Sequence, residues 1–89
     1  MTKLILAIVS ADAVEPVSRA LVEKHFTVTQ ISSIGGFLRR GNTTLVIGIE
    51  EPQVESVLAT IRTVCAPHSK ADSHAATIFV LDAAQFIVI

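Results

Sequence analysis

The sequence has no tryptophan and no tyrosine, and its four aromatic residues are all phenylalanine. It has no basic stripe interleaved with stacking aromatics, and its formal net charge is −1, so it lacks both the field and the platforms that hold nucleic acid. Its single cysteine, Cys65, excludes an internal disulfide, which fits a reducing cytoplasm. No apolar run approaches the ~20 residues of a membrane span, and residues 4–9 are too short for a signal-peptide core. Neither membrane insertion nor secretion is expected. There is no carboxylate pair, no Ser-His-Asp order and no Cys–His arrangement, so nothing recommends hydrolysis or nucleophilic catalysis. An enzymatic role is not expected.

What is present is apolar. Of 89 residues 51% are hydrophobic, only 17% are charged, and the mean hydropathy is +0.61. The length suits one domain over residues 1–89, near the lower end of what buries an adequate core alone. Such a surplus of apolar surface in so small a chain points to a subunit interface.

Residues 4–9, Leu-Ile-Leu-Ala-Ile-Val, form a continuous apolar run, the pattern of a central strand covered on both faces. Asp12 is placed to cap a helix, with Glu15 completing a capping box and Pro16 tolerated in the first turn. Val14, Val17 and Leu21 then share one helical face. Residues 26–31 read as a second strand, with Phe26 and Val28 on one face and Thr27, Thr29 and Ile31 on the other. Residues 43–49 read as a third. Pro52 suits the first position of a second helix, on which Val54, Val57, Leu58, Ile61, Val64 and Cys65 keep the helical period until Pro67 ends it. A polar connection over residues 68–74 leads to a last strand at 76–81, and residues 82–86 read as one helical turn.

The order is βαββαβ, with an internal echo: Val14-Glu15-Pro16-Val17 and Val54-Glu55-Ser56-Val57 lie forty residues apart, each on a helix after an apolar strand. Two such units interleave into a ferredoxin-like α+β domain, a four-stranded antiparallel sheet with two helices on one face. Since the first and last strands are apolar on both faces, the second face needs cover from another subunit.

The stretch Gly35-Gly36-Phe37-Leu38-Arg39-Arg40-Gly41-Asn42-Thr43-Thr44 holds three of the four glycines and two of the seven basic residues. Glycines allow several N–H groups to converge on an anion. The spacing of Gly36 and Gly41 imitates a P-loop, but Asn42 stands in place of the phosphate-binding lysine and a strand follows instead of a helix, so that reading fails. A tight connection that binds nothing is the plain alternative; Arg39, Arg40 and Phe37 favour a ligand. His68, Asp72 and His74 read as a solvated loop and not as a metal site, since spacing names no fourth ligand. His25 suits a helix C-terminus, and Cys65 a buried core position.

That glycine-rich stretch, with residues 4–9 and the late Ala76-Thr77-Ile78-Phe79-Val80-Leu81, resembles the PII-like signalling proteins, nearest to their cyclic-di-AMP receptor branch. The resemblance implies a homotrimer with its sheets facing inward and nucleotide sites in the clefts between subunits. It also implies regulation of a partner such as a transporter or metabolic enzyme, in a bacterial cytoplasm. Carried over by position, the binding residues are Thr29, Gly36, Phe37, Leu38, Asn42 and Gly48, with Gly35 beside them. Cyclic-di-AMP receptors carry an arginine where this chain has Thr27, a glutamine where it has Val88, and a longer connection before the last strand. These departures favour a smaller ligand, ATP or ADP, its phosphates met by Arg39, Arg40 and Lys70. Cyclic-di-AMP is the alternative, and a ligand-free protein-interaction module the third reading. No cofactor is expected.

Overall fold

The structure, a computed structural model, describes residues 2–32, 42–69, 75–84 and 87. Its elements are β1 (Thr2–Val9), α1 (Ala11–Glu23), β2 (Val28–Ser32), β3 (Thr43–Glu50), α2 (Val54–Cys65) and β4 (Ala76–Asp82). Short 3-10 turns at Glu51–Gln53 and Ala66–His68 flank α2. The strands form one sheet in the order β2-β3-β1-β4, with every neighbouring pair antiparallel. This is the ferredoxin-like arrangement expected from βαββαβ.

The two-residue period of β1 decides how the layers meet. Ile5, Ala7 and Val9 are fully buried with Leu45 and Ile47 of β3, against Ala13, Val17 and Leu21 of α1 and Val57, Ile61 and Cys65 of α2. The intervening Leu4, Leu6 and Ile8 face the other way and are only half-buried. The two echoed helical segments play matching parts: Val17 and Val57 are buried, and Val14 and Val54 pack at the margin of the same core.

Several boundaries differ from the sequence-based expectation. The N-cap of α1 is Ser10, in an extended conformation, and its side chain makes no cap bond. Asp12 lies inside the first turn, and Glu15 bonds Arg19 Nη2 at 2.7 Å in place of a capping box. The helix begins directly after β1, so Ala13 and Val14 both donate to the Ser10 carbonyl, leaving Asp12 already past the cap. The capping box lies instead before α2, where the Glu50 N–H donates to Gln53 Oε1 at 3.1 Å. Pro52 sits within the 3-10 turn, two residues ahead of the first residue of the α-helix.

β2 starts at Val28, two residues later than the alternation suggested. The chain needs those residues to close α1: Phe26 N–H reaches the Leu21 carbonyl and His25 N–H the Val22 carbonyl, a Schellman closure. It places His25 at φ 69°, in the left-handed region that usually belongs to glycine. β4 runs on through Asp82, which pairs with Lys3 of β1, so the helical turn expected over 82–86 does not begin there; Gln85 and Phe86 lie outside the described residues.

Candidate functional site

The helix-free face of the sheet presents three cross-strand rows. One holds Ile31, Thr44, Ile8 and Thr77, the next Thr29, Val46, Leu6 and Phe79, the third Gly48, Leu4 and Leu81. Its middle is apolar and its outer parts are uncovered, with Ile31 52%, Phe79 50% and Leu81 45% exposed. The expectation that β1 and β4 are apolar toward both sides is met by this geometry.

Two of the residues singled out for binding, Thr29 and Gly48, lie on this face, and a third, Asn42, directly precedes β3. Thr29 is exposed on edge strand β2, opposite Val46. Gly48 is one row further on, so it is diagonal to Thr29, about 7 Å away. Its missing side chain leaves a dent beside Leu4 that a Cβ would fill. Asn42 immediately precedes β3 and is half-buried. Six residues of extended strand, roughly 20 Å, separate Asn42 from Gly48. The structure thus brings Thr29 and Gly48 together and sets Asn42 apart, at the end of β3 that adjoins the glycine-rich stretch. Gly35, Gly36, Phe37, Leu38, Arg39, Arg40 and Lys70 lie outside the described residues.

Other polar groups have structural roles. Cys65 is buried, and desolvation pushes its thiol pKa up, so it stays protonated. His68 Nδ1 lies 3.6 Å from Asp12 Oδ2 and ties the turn after α2 to the start of α1. The Asp12 carboxyl is held below its ordinary range, first by its own backbone N–H at the helix N-terminus, then by Ser10 and His68. Among the described residues no group of histidine, cysteine and carboxylate side chains could hold a metal, and no helix is long and apolar enough to cross a membrane. Asp72 and His74, considered with His68, lie outside the described residues.

The family model described as cyclic-di-AMP receptor matches residues 2–76. The chain belongs to this family of PII-like proteins. Among solved structures, a functionally unknown protein from Pediococcus pentosaceus is 35% identical with a TM-score of 0.81, the alignment covering 99% of this chain and 97% of that one. The Arabidopsis thaliana PII protein, solved with citrate bound, is 25% identical with a TM-score of 0.72, covering 99% of this chain and 80% of that one. A DUF3240 family protein from Shewanella baltica shares the fold at 16% identity and a TM-score of 0.72, with 99% of this chain and 96% of that one covered. In this PII-like chain, then, the open face carrying Thr29 and Gly48 belongs to a signalling fold. The sequence-based reading missed how widely β3 spreads those residues, because spacing along a strand becomes a distance only once the register is known.

Proposed function

We propose that the protein is a PII-like signal-transduction subunit that binds an adenine nucleotide, ATP or ADP, in clefts between the copies of a homotrimer. Ligand occupancy then sets its interaction with a regulated protein such as a transporter or metabolic enzyme. The observation that carries this reading is the separation of Thr29 and Gly48, on the open face, from Asn42, which precedes the other end of β3. One base cannot touch both ends of β3, so we assign the Thr29–Gly48 end and the Asn42 end to different parts of the ligand or to neighbouring sites. The apolar rows between them supply the surface that holds the copies together. Binding, and not turnover, is the role assigned to the site.

Exposed Thr27, standing where cyclic-di-AMP receptors carry an arginine, supports a mononucleotide over the larger ligand. The family match favours cyclic-di-AMP as the second reading; it ends at residue 76, short of Val88. Calorimetric titration of the purified protein with ATP, ADP and cyclic-di-AMP decides between them, and suits a chain that lacks tryptophan and tyrosine as optical probes. Tighter binding of ATP or ADP is expected. The reverse order makes cyclic-di-AMP the ligand, and no heat with any of them leaves a ligand-free interaction module.

A further inference from the structure

A groove of about 260 Å³ runs between the two helices, lined by Ala20 of α1, by Lys24 just beyond it, and by Ala59, Thr60, Thr63 and Val64 of α2. It opens to solvent, since Lys24, Ala59 and Thr63 are exposed. Lys24 is the one charged side chain among these lining residues, and it is tethered. Its Nζ donates to Thr60 Oγ1 at 2.8 Å, and that hydroxyl, on a residue only 6% exposed, gives its own proton to the Ser56 carbonyl. Two N–H groups of the ammonium remain, and Lys24 pairs with no carboxylate among the described residues. The one acidic side chain outside them, Asp72, belongs to a connection anchored far away. Its ends are joined by the Ala75 N–H to Ser69 Oγ bond, and the Ala75 carbonyl accepts from Ser10 N–H, at the opposite end of α1. Thirteen helical residues, roughly 20 Å, separate that anchor from Lys24.

We propose that this interhelical groove binds a small free monocarboxylate with a short apolar tail. Its carboxylate meets the Lys24 ammonium and the Thr63 hydroxyl, and its tail lies against Ala20, Ala59 and Val64. The volume falls just below the roughly 300 Å³ at which pockets for drug-sized ligands begin, so the groove suits a metabolite of a few carbons and not a nucleotide. A phosphate is best held by converging backbone N–H groups or a guanidinium fork. Here the walls are helical positions whose N–H groups are already committed to the helix ladder, and one ammonium with one hydroxyl matches a single negative charge. The alanine and valine walls give a tail its reason, since they offer nothing to a bare hydrated ion. The Thr60 bond holds the ammonium at the groove before any ligand arrives, so less side-chain freedom is lost on binding. The groove belongs to the helical layer, on the other side of the sheet from the face that carries Thr29 and Gly48. The site is therefore additional to the nucleotide reading and does not rest on it.

The test is a titration of isotopically labelled protein with butyrate and with its neutral counterpart butyramide, at constant ionic strength, followed by amide chemical shifts. Butyrate should shift Ala20, Ala59, Thr60, Thr63 and Val64 saturably and bind roughly fivefold tighter than butyramide, in keeping with one solvent-facing ion pair. Lys24→Gln should erase that preference, and Thr63→Val should weaken butyrate; both positions are exposed, so both variants keep the fold. Equal affinity for the two compounds, shifts that do not saturate or lie away from the groove, or a preference that survives Lys24→Gln overturns the proposal. Acetyl-Ala-Glu-Ala-amide, which presents the same carboxylate on a peptide, should bind no tighter than butyrate. Tighter binding of the peptide assigns the groove to a side chain of a partner protein and overturns the small-molecule reading. Success or failure of nucleotide binding bears on the preceding reading alone.

Discussion

Leu6 and Phe79 stand directly opposite each other on neighbouring strands, on the side of the sheet that no helix covers. Leu6 is half-buried by its neighbours within the chain, while Phe79 stays 50% exposed. Adjacent to Phe79 in sequence, Ile78 points the other way and packs against the core. Aspartate at these two positions should therefore have opposite effects. Phe79→Asp should leave a folded subunit and reduce the mass in light scattering to that of a monomer, because its charge is hydrated until copies pack over it. Ile78→Asp should lower the stability of the subunit itself by roughly 3 kcal/mol, read from urea midpoints. A Phe79→Asp protein that keeps the wild-type mass would remove the open face as the site of assembly.

Binding should respond to both ends of β3. Asn42→Ala removes one directional hydrogen bond and should weaken ATP by about 1–2 kcal/mol in calorimetry. Gly48→Val fills the dent beside Leu4 and should weaken it at least as much, and Gly36→Val should do so where close backbone approach is required. Arg19→Ala, which removes only the pair with Glu15 on the outside of α1, should bind like wild type. If Asn42→Ala and Gly36→Val bind like wild type while folded, the glycine-rich stretch is a connection or a protein-contact surface.

Thr60 is the one buried polar side chain among the described core residues. Its hydroxyl donates to the Ser56 carbonyl and accepts from Lys24 Nζ, each at 2.8 Å, fastening α2 to the end of α1. Thr60→Val keeps the shape and loses both bonds. Since Lys24 can turn to water, the expected cost is only about 1 kcal/mol, measured as a lower urea midpoint. A loss several times larger would mean that Lys24 is held in place by more than this bond.

The depressed Asp12 carboxyl predicts an acid limb. Its folded pKa lies below its unfolded value, so its stabilisation is complete above that value, about 3.9, and is lost as pH falls through the folded pKa. Asp12→Asn should flatten the decline of the urea midpoint below about pH 4 and leave its slope near neutrality unchanged. An unchanged acid limb would show that other carboxylates dominate it.

The fold was legible because its signals are periodic and local. The Val57–Ile61–Cys65 stripe allows only a helix with that face inward, and residues 4–9 allow only a central strand. What escaped was decided by backbone geometry with weak sequence marks. A histidine does the work of a C-terminal glycine at position 25, so the start of β2 shifted, and the unremarkable Ser10 took the cap from Asp12. The site was legible by residue type and not by place. Thr29 and Gly48 are far apart in the chain, and only the pairing of Val28 with Ile47 makes them neighbours.

β1 takes both of its partners from distant parts of the chain. Val9 pairs with Thr43 on one side and Ala76 on the other. A ribosome extends the chain from its N-terminus, so the most hydrophobic strand is made first and is flanked on both sides only after Asp82 has emerged. During that interval the run from Leu4 to Val9 has the composition of an aggregation-prone segment with both edges open. Synthesis is thus the stage at which this chain depends most on being shielded, and slow translation beyond β3 would prolong the exposure.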